Sequence, residues 1–312
     1  MGSALESTDI KNKLEDLTGV KLKPGENPYN ALIETCNDDH VERNAQQKDK
    51  FLASDFKELI IDPYLLRLEN PHLEPGFKDP RYCMTFWGRP PIHVLRLAGE
   101  IQRRLKLVAP SVWLMPLYQM HITALELAYS RTAEEIEAIK TSLASAIPSI
   151  ANYTYQHRTR LVKPMVSHDL SAFALSFLPA SGEPAVSPAP TAPDTAKVLK
   201  QGDPYTYHHV RRDVWDITQK AGMTVDSRYI VPSAHITLGR FLSNEDHATP
   251  EQRKAWVDAI DDINNWLETE IWGKSDADFV GEWVLGQEKG LDVRVGTLWY
   301  GGGRTVLLGE GF

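Results

Sequence analysis

One short pattern occurs twice in this chain and constrains its fold more than any other feature. It reads Met120-His121-Ile122-Thr123-Ala124 in the first half and Ala234-His235-Ile236-Thr237-Leu238 in the second, each within apolar, extended-looking sequence. Successive side chains of a β-strand point to opposite faces. Each copy therefore predicts an imidazole and a hydroxyl on one face and an isoleucine on the other. Two such strands side by side would place two imidazoles and two hydroxyls around one small pocket.

The composition is typical of a globular protein of the cell interior. The 312 residues are 42% hydrophobic and 24% charged, which fits one large or two ordinary domains. No apolar run is long enough for a membrane helix, and Met1–Glu6 matches neither a secretory signal nor a myristoylation site. Two cysteines, Cys36 and Cys83, are too few for a disulfide scaffold. We expect a cytoplasmic protein, with a nuclear location left open, that binds no membrane and acts as a monomer.

The charge balance argues against a broad nucleic-acid surface. The formal net charge is −8, whereas a protein that holds long nucleic acid by its phosphates is usually basic. A small anionic ligand, or the end of an RNA, remains compatible because a local pocket can be positive within an acidic protein. The expected partner is therefore a small-molecule nucleotide or an RNA 3′ end.

The pattern suits acid–base chemistry at phosphorus. Histidine can give or take a proton near pH 7, so two imidazoles across one pocket can act as general base and general acid. Threonine hydroxyls can donate hydrogen bonds to the non-bridging oxygens, whose charge changes in the transition state. Such a site needs no metal and no cofactor, and we expect neither. One copy alone would favour a core histidine, but two copies in strand context favour catalysis.

The paired triplets resemble the signature of the two-histidine (2H) phosphoesterase superfamily. That group includes RNA-ligase-like cyclic phosphodiesterases of bacteria and cyclic nucleotide phosphodiesterases of plants and fungi. Its pattern is histidine, hydrophobic residue, threonine or serine, hydrophobic residue, once in each of two pseudo-symmetric lobes. Here Ile122 and Ala124 fill the hydrophobic positions of the first copy, and Ile236 and Leu238 those of the second. The resemblance covers roughly residues 81–312, without the segment at 179–204, and residues 1–80 are not part of the shared pattern.

The resemblance implies a fold and an activity. The implied fold is α+β and bilobal, with two mostly antiparallel sheets facing a central cleft and helices outside. The implied activity is a metal-independent cyclic phosphodiesterase, a hydrolase that opens 2′,3′-cyclic phosphates of nucleotides or RNA ends. Two alternatives stay open: trimming of RNA 3′ ends or cleavage of 2′–5′ oligonucleotides, and a nucleotide- or RNA-binding module without catalysis. The implied catalytic residues are His121, Thr123, His235 and Thr237.

The order of predicted elements agrees with two lobes. A helix, a strand with the repeated triplet, a further helix and further strands occur twice, and the two halves join through a proline-rich segment at 179–204. Residues 1–80 are predicted to form a helical N-terminal extension, and residues 81–312 a two-lobed domain. The first triplet is predicted to lie within one continuous strand from about Ser111 to Tyr129. Thr132 and Glu135 are predicted to cap the helix that follows.

Further residues are candidates for substrate binding. In an unbroken strand Gln119 shares the face of His121, and Phe241 shares the face of His235. The same alternation places Arg240 on the opposite face, although its guanidinium is suited to a bidentate phosphate contact. Aromatic side chains can stack on a nucleobase, although aromatic residues in strands more often belong to the core. The aromatic candidates are Trp87, Trp299 and Tyr300.

Overall fold

The structure is a computed structural model that describes Lys21 and residues 26–35, 40–187, 203–225 and 233–311. Cys36 and most of the N-terminal lead-in lie outside the described residues. Residues 188–202 of the proline-rich segment do so as well.

Two antiparallel sheets form the centre of the molecule, which confirms the predicted α+β class. The first sheet has four strands in the order β3-β1-β8-β9, and the second has five in the order β2-β6-β5-β4-β7. The strands are β1 Tyr82–Gly88, β2 Trp113–Leu114, β3 Ile122–Arg131, β4 Arg160–His168, β5 Ala172–Pro179, β6 Ala234–Arg240, β7 Trp283–Val284, β8 Lys289–Gly296 and β9 Arg304–Glu310.

Helices connect and cover the sheets. They are α1 Pro28–Thr35, α2 His40–Leu52, α3 Pro63–Glu69, α4 Ile92–Val108, α5 Ala133–Ser142, α6 Ile147–Ala151, α7 Tyr153–Gln156, α8 Tyr207–Lys220 and α9 Pro250–Trp266, with a π-helical turn at Leu267–Ile271. The predicted cap of α5 is confirmed, because Thr132 and Glu135 form a reciprocal capping box.

The two sheets repeat one connection. In the first sheet β1 is followed by α4 and then β3, and in the second sheet β5 is followed by the proline-rich segment, α8 and β6, with antiparallel pairing of β1 with β3 and of β5 with β6. After β3 the chain crosses to the second sheet at β4. After β6 and α9 it crosses back to the first sheet, reaching β8 after the short strand β7. Each sheet therefore contains one triplet strand, β3 in the first and β6 in the second. The first sheet also receives β8 and β9 from the C-terminal part of the chain, and the second receives β2 from between α4 and β3.

The predicted continuous strand around the first triplet is wrong. Only Trp113–Leu114 pairs, and a 3₁₀ turn at Leu117–Gln119 separates it from β3. Pro116 immediately precedes this turn, and its missing N–H and fixed φ favour a turn over a central strand. This interruption gives the first triplet an irregular entry, whereas Ala234 already belongs to β6 in the second.

The N-terminal helices pack into the common core. Tyr29 of α1 lies edge-on to Trp215 of α8, and Phe51 of α2 is fully buried against Phe241. Asn27 caps α1 by accepting a hydrogen bond from the Tyr29 N–H, and Pro28 occupies the first position of the helix. No helix among the described residues is long and apolar enough to cross a membrane.

Candidate active site

The two triplet strands lie side by side where the sheets meet. β3 is an edge strand of the first sheet. In the second sheet only the two-residue strand β2 lies between β6 and the sheet edge. β3 and β6 are in contact. Ile122 and Ile236 are both fully buried in the core. The histidine and threonine of each triplet are only partly buried. This burial pattern follows the predicted alternation of faces in both triplets.

His121 is held in a defined tautomer. Its Nδ1 lies 2.8 Å from the carbonyl oxygen of Gln119. Because a carbonyl can only accept, Nδ1 carries the proton, and Nε2 of the neutral ring keeps its lone pair. Gln119 closes the 3₁₀ turn, so the turn itself supplies this acceptor. A neutral ring of this kind can accept a proton through Nε2.

A tryptophan lies flat against the same imidazole. The ring centroids of Trp87 and His121 are 3.6 Å apart with 11° between the planes. Trp87 lies on β1 directly opposite Thr123, so the sheet register brings the indole beside the imidazole two residues earlier in the chain. Since Trp87 is only 1% exposed and one face of its ring is covered by His121, it is not free to stack on a nucleobase as predicted.

The surroundings keep His121 neutral. Desolvation is the largest cause and lowers its pKa, while the hydrogen bond to Gln119 raises it. The positive charges of Arg89 and Arg294 lower the pKa further, and so does His235. The net result is a pKa of about 3 for His121. The effect of His235 also indicates that the two triplet histidines lie within electrostatic reach of each other.

The second histidine has a different environment. Nδ1 of His235 lies 3.3 Å from the hydroxyl of Ser233, and in the sheet His235 lies opposite Ser176. Thr237 lies opposite Ala174, where the first lobe has Trp87 opposite Thr123. The two halves of the candidate site are therefore similar in backbone and different in side chains.

Each triplet strand is held by a helix of the other half. Tyr207 and Arg211 of α8, one helical turn apart, donate hydrogen bonds to the carbonyls of Thr123 and Ala124. Conversely, Gln102 of α4 donates one at 2.8 Å to the carbonyl of Leu238. These side chains satisfy backbone acceptors that sheet pairing does not fully use.

Arg240 lies on the same face as the triplet, contrary to the alternation argument. Ala174 lies opposite Thr237 and Phe173 lies opposite Gly239, so β6 uses one extra residue between these pairs. This β-bulge reverses the alternation, and Arg240, opposite Ala172, returns to the face of Thr237. Its guanidinium lies 5.9 Å from the Tyr300 ring, and its Nε is buried without a hydrogen-bond partner among the described residues.

The prediction that Phe241 lines the pocket is wrong for the same reason. Phe241 is 1% exposed and contacts the rings of Phe51, Phe173 and Trp256 in the core. The bulge moves it from the cleft face to the core face. A phenylalanine there contributes to packing and has no access to a ligand.

The remaining candidates for substrate binding, Gln119, Trp299 and Tyr300, lie near the turn that follows β8 and contains Gly301. The side chain of Gln119 packs against Gly301, whose φ of +82° suits a glycine. The Tyr300 hydroxyl donates to Asp62 and accepts from Arg81, at 2.7 and 2.9 Å. Trp299 is partly buried, with the guanidinium of Arg81 4.6 Å from its ring centroid. Gln119 and Tyr300 thus adjoin the turn after the first sheet's β8, and Trp299 belongs to the same small cluster as Trp87.

Comparisons with known proteins assign no family to this chain. No family model and no curated protein matches this sequence. Among solved structures, the crystal structure of the protein TT0787 of Thermus thermophilus is similar at a TM-score of 0.39 and 15% identity. The alignment covers 73% of this chain and 96% of that one.

Three charged residues near the first triplet were not predicted from the sequence: Arg89 and Arg294, which act on His121, and Asp292, which pairs with both arginines. Arg89 follows β1, and Asp292 and Arg294 alternate on β8 within Leu291-Asp292-Val293-Arg294-Val295. Two opposite charges at alternate positions of an otherwise apolar strand are a detectable signal, since such a strand seldom buries charge without a function or a partner. Which histidine they adjoin, however, depends on the order of strands in the sheet.

Proposed function

We propose that this protein is a phosphodiesterase of the 2H type that hydrolyses 2′,3′-cyclic phosphates of nucleotides or RNA ends. The observation that carries the proposal is the meeting of the two triplet strands from different sheets. As a result, His121 and His235 come within electrostatic reach. Two unlike histidines on one cleft suit a reaction that needs one base and one acid at opposite sides of phosphorus.

The reaction proceeds by attack of water on phosphorus. One imidazole accepts a proton from the water as its oxygen bonds to phosphorus. The bond from phosphorus to the 2′ or 3′ oxygen breaks, and the other histidine, as imidazolium, gives its proton to that leaving oxygen. Thr123 and Thr237 donate hydrogen bonds to the non-bridging oxygens. Arg240 pairs with the phosphate charge from the end of β6.

The test is a hydrolysis assay of the purified protein on 2′,3′-cyclic mononucleotides and on cyclic-ended oligonucleotides, with a chelator present. His121→Ala and His235→Ala should each lower kcat by about 10²–10⁴-fold, the usual value of a general acid or base. His72→Ala is the matched control, because His72 is exposed and far along the chain from both triplets. Wild-type activity in both triplet variants would refute the proposal.

The double variant gives a second test. If the two histidines act as one acid–base unit, His121→Ala with His235→Ala should lose little more than either alone. Tight binding of nucleoside phosphates with no turnover by the wild-type protein would instead support a binding module. Comparison of mononucleotides with longer oligonucleotides separates the cyclic phosphodiesterase from an enzyme that trims RNA ends.

A further inference from the structure

Three residues on or next to the first sheet form a linked group beside His121, and we call them the His121 bracket: Trp87, Arg89 and Asp292. Trp87 covers one face of the imidazole at 3.6 Å. Arg89 donates from Nε to Oδ2 of Asp292 at 2.8 Å, and its guanidinium lies 4.9 Å from the Trp87 ring centroid. Asp292 lies opposite Trp87 in the sheet and is 2% exposed. The bracket therefore spans β1, the segment after it and β8.

Arg89 also holds the backbone that carries His121. Its Nη1 approaches the carbonyl of Met120 at 3.3 Å and that of Tyr118 at 3.5 Å. These two carbonyls flank Gln119, whose own carbonyl accepts the Nδ1 proton of His121. The guanidinium thus links the fixed carboxylate of Asp292 to the turn that sets the tautomer of His121.

In the second sheet the position that matches Trp87 holds Ala174, which lies opposite Thr237. This sheet partner of the second triplet is therefore an alanine where the first triplet has a tryptophan. The hydroxyl of Ser233 beside Nδ1 of His235 can accept from a protonated nitrogen or donate to an unprotonated one. That contact suits either protonation state of His235, whereas the surroundings of His121 favour a neutral ring.

We propose that the His121 bracket is a positioning device that commits His121 to the role of general base, which leaves His235 as the general acid. The inference rests on the proposed function and deepens it by giving the reaction a direction. Water is activated by Nε2 of His121 and attacks phosphorus from the side of β3. The leaving oxygen takes its proton from His235 on β6.

The charges around His121 agree with this assignment. Arg89 and Arg294 face it from the first sheet, and His235 faces it from β6. Asp292 offsets both arginines, with Oδ2 at 2.8 Å from Arg89 and 3.9 Å from Arg294. Its Oδ1 is buried without a partner among the described residues, so the carboxylate is held by Arg89 more than by its own surroundings.

The experiment distinguishes the effect of the positive charge of Arg89 on His121 from the effect of the hydrogen bonds that its guanidinium donates. The protein is labelled with ¹⁵N-histidine, and the His121 signals are assigned by their loss in His121→Gln, since the chain has ten histidines. Nitrogen shifts at neutral pH report the tautomer, and a pH titration reports the pKa. Arg103→Gln is the matched control, because the Arg103 side chain is 60% exposed and pairs with Glu100 on the outside of α4.

The variants should differ in a defined way. Arg89→Gln should raise the pKa of His121 and admit the Nε2–H tautomer. Arg89→Lys should keep the low pKa of His121 but lose the fixed tautomer. A lysine ammonium cannot hydrogen-bond to the Asp292 carboxylate and the two backbone carbonyls at the same time in the geometry of a guanidinium. Both should lower kcat by about 10²-fold with little change in KM, since the bracket positions the base without touching substrate.

Asp292→Asn, which keeps the shape of the side chain, provides a second route if Arg89 variants fold poorly. It should release Arg89 and lower kcat in the same way. An unchanged tautomer and kcat in Arg89→Gln, relative to Arg103→Gln, would overturn the proposal. The nitrogen shifts need no turnover, so the bracket can be tested even if no cyclic phosphate proves to be a substrate.

Discussion

Trp87 and His121 are stacked with only 11° between their ring planes, although they lie on different strands and no sequence pattern links them. The stack places a fully buried tryptophan against an imidazole whose pKa is lowered to about 3, further than the pKa of His168 and of His247, which is about 4 for each. Apolar cover disfavours the charged form of an imidazole. The indole therefore helps to keep His121 neutral by excluding water from one face of its ring.

Replacing Trp87 should raise the pKa of His121. In Trp87→Ala water reaches the ring, so desolvation, the largest cause of the lowered pKa, is weakened. Removal of a buried tryptophan should also lower the free energy of unfolding by about 3–5 kcal/mol. Trp87→Phe keeps an aromatic face and should show a smaller shift. A histidine titration together with a denaturant melt checks both effects, and an unchanged pKa in a folded Trp87→Ala protein would contradict this account.

The features that could be predicted from the sequence are local ones. The capping box of α5 depends on two residues three positions apart, Thr132 and Glu135. The same holds for Ile122 and Ile236, whose burial follows from alternation within a single strand. Local rules suffice where the chain stays regular.

The placement of residues that depends on the pairing of distant strands could not be predicted from the sequence. The bulge between Thr237 and Gly239 exists because β6 supplies one more residue than β5 there, which depends on the partner strand. That single residue moved Arg240 to the cleft face and Phe241 to the core. The partners of His121 are likewise set by the order β3-β1-β8, which brings Asp292 beside Trp87.

The bulge itself predicts a sensitive position at Gly239. A Cβ on Gly239 would lie 2.3 Å from the Trp113 carbonyl oxygen and 2.4 Å from the Phe173 ring. Gly239→Ala should therefore distort the pairing of β2 with β6 and misplace Arg240. We expect a higher KM and a lower melting temperature, measured by steady-state kinetics and thermal unfolding.

Gly222→Ala is the control for this glycine. Gly222 has φ of +81° but open space around it, so an alanine there strains the backbone without a clash. It should lower the melting temperature and leave KM unchanged. An equal KM in the two alanine variants would show that the bulge at Gly239 does not affect substrate binding.

Arg240 can be tested apart from its strand. Arg240→Ala should raise KM, because the guanidinium pairs with the substrate phosphate in the proposed reaction. Arg240→Lys should recover only part of the loss, since an ammonium makes no bidentate contact. Steady-state kinetics on the cyclic mononucleotide measures both variants. A KM in Arg240→Ala equal to that of wild type would remove Arg240 from the site.

Two buried histidines outside the site predict an acid-sensitive core. Burial lowers the pKa of His168 and of His247 to about 4, chiefly by desolvation. Both adjoin the ring of Phe51 on α2. The unfolded chain, with histidine pKa near 6.5, binds more protons below that pH, so stability falls as pH drops from about 6.5 to about 4. At about 1.4 kcal/mol per pKa unit, each histidine accounts for roughly 3 kcal/mol of this loss.

The measurement is the free energy of unfolding against pH, for wild type and for His247→Leu. The variant replaces a side chain whose two ring nitrogens have no partner among the described residues, so it should lose less stability on acidification. His72→Leu is the control, because an exposed histidine should leave the slope unchanged. Equal slopes in all three proteins would show that His247 does not titrate as described.

The direction of the reaction predicts how each histidine variant responds to the leaving group. A 2′-deoxynucleoside 3′-(4-nitrophenyl) phosphate releases 4-nitrophenolate, which needs no proton from the enzyme, whereas the alkoxide leaving a cyclic phosphate does. If His235 is the acid, His235→Ala should lose about 10²–10⁴-fold on the cyclic phosphate and far less on the aryl ester. His121→Ala should lose as much on both substrates, because each still requires activation of water. The opposite pattern would assign the base to His235, and the neutral, enclosed state of His121 would then need a purpose other than accepting the proton of water.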